Sequence, residues 1–576
     1  LSIRRQRQMC IRDSRTAEHN PCERTDAPES PHHSPSSRTC DRGKTEVKKN
    51  PDTAIVIGAG AAGLATAALL GREGFDVTVI DRIDEIGGRA GELTVERFRF
   101  DTGPSWYLMP DAFDHFFALF GKRTEDMLEL VDLSPAYRLF PEKQELIDVP
   151  SSPADTISLF ESIEPGAGEK LRDYLASAGE TYELALKYFL YTTFSTPAGF
   201  VAPEIRTNYR KLVRLLGEGL EGFVDKQFAD VRLRQMLAYP AVFLSSHPAR
   251  TPALYHLLSH TDLVQGVKYP LGGFAAVMRA FESLACEHGA DIQLSTEATA
   301  IHVDGRRATG VSVRRSDGTA DELAADLVVS TADLKFTETR LLPRDKRTYN
   351  ERYFAARNPG LSCVLLMCGV DGELPELAHH NLLFSKNWNV DFDAVFDGPH
   401  AARPLDASQS IYMSKPSATD PSTAPAGCEN LFVLIPTPSA PDLGHGDAYR
   451  EKASPRVDAI ADAAIAQIAE WCAIPDLESR ICVRRTLGPA DFAERYHSWS
   501  GGAIGPAHTL KQSAFLRGRN ASRKVDNLLY AGATTLPGVG VPMCLISAEN
   551  VIKRLRGDMS SCLLYTSPSP RDGLLS

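Results

Sequence analysis

The fold of this chain is decided by the stretch Thr53-Ala54-Ile55-Val56-Ile57-Gly58-Ala59-Gly60-Ala61-Ala62-Gly63. Its first five residues form a short apolar run rich in β-branched side chains, which is typical of a buried parallel strand. The three glycines predict a tight turn, a close approach of backbone amides to a pyrophosphate, and close packing of a helix on the sheet. The phosphates are expected at the N-terminus of that helix, where unpaired N–H groups and the helix dipole favour an anion.

The residues that follow complete a dinucleotide-binding pattern. A helix is predicted to run to about Glu73 and to stop at Gly74, and Asp76–Ile80 then reads as a second buried strand. Asp81 ends that strand at the spacing, roughly 20 residues after the glycines, that suits hydrogen bonds from ribose hydroxyls. A carboxylate there would repel a 2′-phosphate, so the pattern favours FAD or NAD over NADP.

The choice between FAD and NAD depends on Asp81-Arg82-Ile83-Asp84-Glu85-Ile86-Gly87-Gly88-Arg89-Ala90. This run resembles the signature of the flavoprotein superfamily that contains the amine oxidases and the carotenoid desaturases. The two glycines would let the chain pass close beside the cofactor, and Arg89 would supply a positive charge for phosphate. The cofactor predicted from this run is FAD.

A second motif lies near the other end of the chain, Asn527-Leu528-Leu529-Tyr530-Ala531-Gly532-Ala533-Thr534-Thr535-Leu536-Pro537-Gly538-Val539-Gly540-Val541-Pro542. It predicts a strand, a glycine-rich loop, and a helix with Pro542 in its first turn. Together with Phe100-Asp101-Thr102-Gly103-Pro104-Ser105 and shorter blocks such as 266–273 and 510–514, it is similar to the bacterial phytoene desaturase family over residues 53–556. The chain departs from that family at Thr534 and at Leu536, where relatives commonly have a smaller residue and a histidine.

The resemblance implies an α/β fold in which a Rossmann-like FAD-binding domain carries an inserted α+β substrate domain. The FAD-binding domain is expected in residues 51–114, 266–335 and 491–560, with strands near 292–295 and 326–330 and a hairpin over 299–313. The substrate domain is expected in 115–265, as a helical part with helices over 171–186 and 209–223, and in 336–490, with a strand at 363–367 and a helix at 457–471.

The motifs and the resemblance together predict the residues that contact FAD. They are Gly58, Gly60, Ala61, Ala62, Gly63, Asp81, Arg82, Gly88, Arg89, Gly103, Pro104, Ser105, Ala298, Thr331, Gly532, Val541, Pro542 and Met543. In relatives the helix that has Pro542 in its first turn aims its positive N-terminus at the flavin pyrimidine ring, which would stabilise the anionic reduced flavin. No catalytic base is identified, and the adjacent His379 and His380 lack the spacing of a metal site.

The implied activity is desaturation of phytoene, in which hydride leaves an allylic carbon for the flavin and a neighbouring proton is lost. The electron acceptor would be a quinone or oxygen. Three alternatives remain open: another carotenoid or isoprenoid desaturation or isomerisation (for example of diapophytoene), amine oxidation, and a non-catalytic prenyl-lipid escort protein. The C-terminal flavin loop argues against the last of these.

Composition limits the possible partners. The net charge of −11 disfavours nucleic acid, and no apolar run reaches the eighteen residues of a membrane span. The scattered cysteines and the absence of an apolar N-terminal signal predict a cytoplasmic protein. Aromatic residues at 188–201 are either buried core or a hydrophobic mouth resting on a membrane, so peripheral membrane association is expected together with a hydrophobic polyene substrate.

The two ends read unlike the rest of the chain. Residues 4–14 and 562–572 resemble translated sequencing adapters, and residues 15–50 hold almost no aliphatic side chains. Residues 1–50 are therefore expected to be a non-native or disordered tail and 561–576 a non-native tail, and both are left out of the fold prediction.

Overall fold

In the computed structural model, which describes residues 52–196, 198–398, 403 and 405–564, the run 53–57 is the middle strand of a parallel sheet. The strands of the described residues, in chain order, are β1 (Thr53–Ile57), β2 (Asp76–Ile80), β3 (Glu92–Val95), β4 (Phe98–Asp101), β5 (Leu130–Asp132), β6 (Tyr137–Pro141), β7 (Ile147–Val149), β8 (Lys268–Pro270), β9 (Asp291–Gln293), β10 (Thr296–Asp304), β11 (Arg307–Arg315), β12 (Ala320–Ala324), β13 (Leu327–Ser330), β14 (Leu361–Asp371), β15 (His380–Phe384), β16 (Ile411–Ser414), β17 (Cys428–Pro438), β18 (Ile481–Leu487) and β19 (Leu528–Tyr530).

The longer α-helices of the described residues are Ala61–Arg72, Pro110–Leu119, Pro153–Ile163, Ala167–Ala185, Tyr209–Gly217, Val231–Ala238, Gly273–Glu287, Trp388–Asp397, Pro455–Trp471 and Val541–Leu555. The shorter ones are Thr124–Met127, Ala198–Val201, Pro203–Thr207, Leu220–Asp225, Pro240–Phe243, Leu258–Leu263, Leu334–Phe336, Glu351–Ala355, Leu477–Arg480 and Pro489–Arg495. Tighter or wider helical turns include Leu186–Leu190, Gly88–Ala90 and Ala514–Leu516.

The first sheet has the strand order β19-β13-β1-β2-β9, and every pair in it is parallel. Alternate side chains of its strands pack into two different hydrophobic cores. One core is shared with the helices Ala61–Arg72, Gly273–Glu287 and Val541–Leu555, and the other with the antiparallel strands β10 and β11. Because the strands are parallel, the turns that follow β1, β2, β13 and β19 meet at one edge of the sheet, which is where ligands bind in folds of this kind.

The second sheet has the order β18-β14-β17-β16-β15-β6-β7 and is mostly antiparallel. One face packs on the helix Pro455–Trp471, and the other packs on the helical region between residues 153 and 263. The sequence predicted 115–265 as a helical part, and the structure adds the strands β5, β6 and β7 there. β6 pairs in parallel with β15, a partner that lies far along the chain and that no local pattern reveals.

One further prediction is wrong in part, and another is confirmed. The helix expected over 209–223 is two helices, because Glu218 between Gly217 and Gly219 has an extended backbone. The hairpin expected over 299–313 is present as β10 and β11, and β12 adds a third strand to it. The polar residues of β12 are mostly exposed, so it shows no buried alternation for a sequence pattern to detect.

Arg517 links the loops near the C-terminus through hydrogen bonds of its side chain. Its side chain is buried, and its guanidinium donates to the carbonyl oxygens of Ala533 (2.6 Å), Thr535 (3.0 Å), Pro506 (3.2 Å) and Gln512 (3.3 Å). Burial lowers its pKa to about 10. The loop that follows β19 is therefore held by one cation whose hydrogen bonds go to backbone carbonyls.

Replacing Arg517 with methionine should lower the free energy of unfolding by about 3 kcal/mol, because it leaves buried carbonyl groups without a donor. Urea denaturation followed by tryptophan fluorescence measures the change. Arg519→Met is the matched control, since Arg519 is exposed and two residues away. Equal urea midpoints for the two variants would show that Arg517 does not stabilise the loop after β19.

Candidate functional site

The edge of the first sheet brings the predicted cofactor residues together. Gly58 follows β1, Asp81 follows β2, Thr331 follows β13 and Gly532 lies just beyond β19. Gly60 forms a bridge with Gly87, so the first glycine loop and the Gly87-Gly88 turn lie side by side. These segments are far apart in the sequence, and the parallel sheet alone makes them neighbours.

The first loop has no room for a side chain at Gly58 or at Gly63. A Cβ atom on Gly63 would lie 1.8 Å from the carbonyl oxygen of Gly58, and one on Gly58 would lie 2.6 Å from the Thr331 hydroxyl oxygen. Thr331 donates that hydroxyl to the carbonyl oxygen of Ile57 at 2.9 Å. A Cβ on Gly60 would meet nothing closer than 3.6 Å, which leaves its amide side approachable.

Two helices begin at this edge without a side-chain cap. The helix Ala61–Arg72 starts after Gly60, with Ala62 and Gly63 in its first turn and no acidic residue there. The helix Val541–Leu555 starts after Gly540, with Val541, Pro542 and Met543 in its first turn. The first-turn N–H groups of a helix have no partner within it, so these ends suit the negatively charged groups of a dinucleotide. The Gly58–Gly63 loop, here called the glycine cradle, and the two uncapped helix ends together fit FAD.

Asp81 has a structural role that its spacing does not reveal. One carboxylate oxygen accepts the N–H of Ala59 at 2.7 Å and the other accepts the N–H of Ile83 at 2.9 Å. Burial raises its pKa above the ordinary value, and these two amides oppose the rise. Each oxygen keeps a second lone pair, so Asp81 can hold the glycine loop and still accept a ribose hydroxyl.

The two predicted arginines bind backbone carbonyls from the last part of the chain. Arg89 donates to the carbonyl oxygens of Ala503 (3.1 Å) and Ile504 (2.9 Å). Arg82 donates to the carbonyl oxygen of Glu494. A guanidinium has five N–H donors, so Arg89 could contact a phosphate as well as these carbonyl oxygens. Its contact with phosphate stays a prediction.

The remaining predicted residues lie around the same loops. Gly88 follows Gly87 in a helical turn, and a Cβ on Gly103 would lie 1.9 Å from the carbonyl oxygen of Arg89. Pro104 and Ser105 continue from Gly103 and are partly exposed. Ala298 lies in β10 and belongs to the same buried cluster as Ile80, next to the end of β2. Contact of all these residues with FAD stays a prediction.

The structure adds an aromatic wall that the sequence did not predict. Trp106, directly after Ser105, stacks on His380 with ring centroids 4.8 Å apart. Its ring also lies 5.2 Å from those of Tyr137 and Phe243 and 6.2 Å from that of Tyr412. The five side chains come from five separate parts of the chain, so only the tertiary fold brings them to the end of the cofactor segment.

His379 and His380 belong to this wall. His379 Nδ1 lies 2.7 Å from the Thr419 hydroxyl, and His380 Nδ1 lies 2.9 Å from the Tyr412 hydroxyl. Burial lowers the pKa of His379 to about 3 and that of His380 well below its usual range, so both imidazoles are neutral. Among the described residues no group of three or more His, Cys, Asp or Glu side chains could hold a metal ion.

Asp262 is a buried carboxyl group beside the wall. Its Oδ2 accepts a long hydrogen bond of 3.4 Å from the Tyr137 hydroxyl, and its Oδ1 has no hydrogen-bond partner in the described part of the chain. Burial raises its pKa to about 7. The sequence gives no signal for this position, because the helix Leu258–Leu263 is itself mostly polar.

Among the described residues, no helix is both long enough and apolar enough to cross a bilayer.

Comparison with known sequences gives a consistent picture. Residues 61–552 match the family described as flavin containing amine oxidoreductase. The chain is 39% identical over 505 residues to a carotenoid 3,4-desaturase of Haloarcula japonica, covering 88% of this chain and 98% of that protein. It is 30% identical over 511 residues to a 4,4'-diapophytoene desaturase of Staphylococcus aureus, with the same shares covered.

Solved structures support the fold. An oxidoreductase of Methanosarcina mazei superposes with a TM-score of 0.56 at 15% identity, covering 87% of this chain and 100% of that one. Cyclohexylamine oxidase of Brevibacterium oxydans superposes with a TM-score of 0.53 at 14% identity, covering 88% and 99%. At these identities the likeness concerns the fold alone.

Gly63→Ala should reduce the FAD bound by the purified protein to less than a tenth, because the new methyl group would collide with the Gly58 carbonyl and push the helix off the loop. The ratio of flavin absorbance to protein absorbance measures this. Gly222→Ala is the control, because a Cβ on that helical glycine meets nothing within 4 Å. Full flavin content in Gly63→Ala would show that FAD binding does not depend on the close approach of Gly63 to the Gly58 carbonyl.

Asp262→Asn should change how stability depends on pH. In the unfolded chain the carboxyl group loses its proton near pH 4, whereas in the folded chain it keeps the proton up to about pH 7. The folded state therefore binds the extra proton between these values, and the free energy of unfolding falls as pH rises through them. Removing the group should reduce that fall by about 3 kcal/mol between pH 5 and pH 8.

Urea denaturation at the two pH values measures the effect of Asp262→Asn. Asp101, whose pKa burial also raises to about 7, should leave part of the slope in place. Asp173→Asn, at an exposed carboxyl group on the helix Ala167–Ala185, should leave the whole slope. If Asp262→Asn behaves like Asp173→Asn, the buried carboxyl group titrates normally and the prediction is wrong.

Proposed function

The chain belongs to the family of flavin-containing amine oxidoreductases and is an FAD-dependent oxidoreductase of the carotenoid-desaturase type, and from this premise we propose that it desaturates an acyclic carotenoid near one end of the polyene, at the 3,4 position. The observation that carries the proposal is the 39% identity to the Haloarcula japonica 3,4-desaturase along 98% of that protein. The identity to diapophytoene desaturases is lower, at 30%.

The site supports oxidation of an apolar substrate. Bound FAD supplies the hydride acceptor for this chemistry. The chain's own residues would hold the dinucleotide through the Gly58–Gly63 cradle and through two uncapped helix N-termini. Trp106 then leads from the predicted cofactor segment into a core of aromatic and aliphatic side chains between the second sheet and its helices. A polyene lying there would be oriented by flat apolar contacts and kept away from water.

Phytoene is the second candidate substrate, favoured by the motif resemblance over residues 53–556. Both candidates require removal of a hydride and a proton from adjacent carbons of an apolar chain. Amine oxidation receives less support, because His380 stacks on one face of Trp106 and leaves that face unavailable to a cation. An escort protein without chemistry would not need the C-terminal flavin loop.

Two partners are proposed with this activity. The electron acceptor is a quinone or oxygen, since the dinucleotide pattern described above is the one that FAD occupies. The second partner is a membrane surface, because a carotenoid substrate is held in lipid and has to pass from there into the protein.

Expression of the full chain in two hosts tests the proposal, one that accumulates phytoene and one that accumulates lycopene. Chromatography should show products with longer conjugation in the lycopene host and unchanged phytoene in the other. Gly63→Ala should give no product in either. New products in the phytoene host would favour the second candidate, and no product in either host from protein that carries FAD would refute both.

A further inference from the structure

Four buried polar atoms in the aromatic wall have no hydrogen-bond partner in the part of the chain that the structure describes. They are Trp106 Nε1, His379 Nε2, His380 Nε2 and Ser414 Oγ. The last three belong to side chains that are almost completely buried, so bulk water does not reach them. Buried polar atoms without a partner are costly, and folded proteins leave few of them. Four in one region therefore indicate a polar partner that the chain itself does not supply.

The four atoms belong to side chains that are direct neighbours. The ring of Trp106 stacks on that of His380, and the rings of His379 and His380 lie 4.5 Å apart at an angle of 77°. His380 and Ser414 are paired residues of the antiparallel strands β15 and β16, which places their side chains on the same face of the sheet. One small molecule among these side chains can therefore bond to more than one of the four atoms.

The chemistry of the four atoms matches a buried water molecule. Such a water makes about three hydrogen bonds to polar groups that are otherwise unpaired. The hydroxyl of Ser414, the indole N–H of Trp106 and the two imidazoles provide both donors and acceptors. Burial keeps both imidazoles neutral, so the group suits an uncharged ligand better than an ion.

Tyr412 connects this group to the predicted cofactor segment. Its hydroxyl oxygen lies 2.9 Å from His380 Nδ1. Burial raises the pKa of Tyr412, and the Ser105 side chain is close enough to the same hydroxyl to oppose that rise. Because Ser105 is one of the residues predicted to contact FAD, the Tyr412 hydroxyl lies between the predicted cofactor segment and His380.

His379 connects the group to the surface of the protein. Its Nδ1 lies 2.7 Å from the hydroxyl oxygen of Thr419, which is partly exposed. From the inside to the surface the series of polar side chains is Ser105, Tyr412, His380, His379 and Thr419. The series has one gap, between the Nε2 atoms of the two histidines, and both of these atoms lack a partner among the described residues.

We propose that buried water fills this gap and completes a relay that carries the substrate proton from the Tyr412 hydroxyl to solvent at Thr419. The relay rests on the proposed function, because desaturation is the reaction that releases a proton here. The water site itself does not depend on any reaction. Tyr412, His380 and His379 are then residues that transfer a proton, and none of them has to hold a charge.

The proposed relay conserves atoms and electrons. One C–H bond of the substrate breaks when its hydrogen leaves as hydride for FAD. The adjacent C–H bond leaves its electron pair in the new C=C bond, and its proton binds the Tyr412 oxygen while the Tyr412 hydroxyl proton moves to His380 Nδ1. His380 passes its Nε2 proton to the water, and the water passes one to His379 Nε2. The Nδ1 proton of His379 leaves through Thr419, so one proton reaches solvent for each hydride transferred.

A crystal structure of the FAD-loaded full chain tests the water site. It should show an ordered water within about 3.2 Å of at least two of the four atoms. In solution, Ser414→Ala should lower the thermal midpoint by about 2 °C, because the water loses a partner. Removal of a hydroxyl group that has no partner would leave the midpoint unchanged or raise it. A dry site in the crystal structure overturns the inference.

Anaerobic reduction of the flavin by detergent-dispersed lycopene, in ordinary and in heavy water, tests the relay. Reduction of the parent protein should be about twofold slower in heavy water, and a pH indicator should record one proton released for each flavin reduced. Tyr412→Phe should reduce its flavin roughly tenfold more slowly and without the solvent isotope effect, at unchanged FAD content.

Tyr349→Phe is the matched control for Tyr412→Phe. Tyr349 is also a buried tyrosine, but it belongs to a different hydrophobic core, and its hydroxyl accepts the N–H of Arg519 at 2.9 Å. This variant should keep both the rate and the isotope effect of the parent protein. If Tyr412 had only a structural role, its variant would keep the isotope effect of the parent, and that result overturns the relay.

The outcomes separate this inference from the proposed function. An ordered water in a protein whose flavin neither carotenoid reduces supports the water site and refutes the proposed function together with the relay. Flavin reduction by lycopene in a protein with a dry site supports the proposed function and overturns the inference. An ordered water together with an isotope effect that Tyr412→Phe removes supports both.

Discussion

The contact between Gly63 and the carbonyl oxygen of Gly58 sets the position of almost everything else at the cofactor edge. It allows the helix Ala61–Arg72 to start directly above the turn that leaves β1, with its unpaired N–H groups facing outward. A side chain at residue 63 would separate the helix from the sheet. The Asp81 carboxylate and the Thr331 hydroxyl then hold the same turn from its two neighbouring strands, so three parallel strands define one backbone cradle.

The last part of the chain closes this edge through buried polar bonds to backbone. Asn520, which is fully buried, donates to the carbonyl oxygens of Tyr530 and Leu536, and Ser547 on the C-terminal helix donates to Leu536 and accepts from the N–H of Gly532. With Arg517 these side chains satisfy the carbonyls of a loop that has no regular structure of its own. Such a loop can be buried next to a cofactor only because its polar groups are paired.

The sequence was informative where local chemistry decides structure. The apolar run of β1, the glycine spacing, the acid after β2 and the proline at the start of the C-terminal helix predicted the first sheet and its cofactor edge, because each depends on residues within a few positions. The long-range features escaped prediction. Arg517 looks like an ordinary polar residue in the sequence, and Trp106, Tyr137, Phe243 and His380 become neighbours only after β6 joins the second sheet beside β15.

The ionisable groups next to the aromatic wall share one electrostatic property. Burial raises the pKa of Asp262 and lowers the pKa of His379 and His380, so each shift favours the uncharged form. Neutral side chains can remain in an apolar region that an ion could not enter without a partner. Burial therefore shifts Asp262, His379 and His380 toward their uncharged forms beside Trp106. That shift is the property that the proposed hydrocarbon substrate requires of its surroundings.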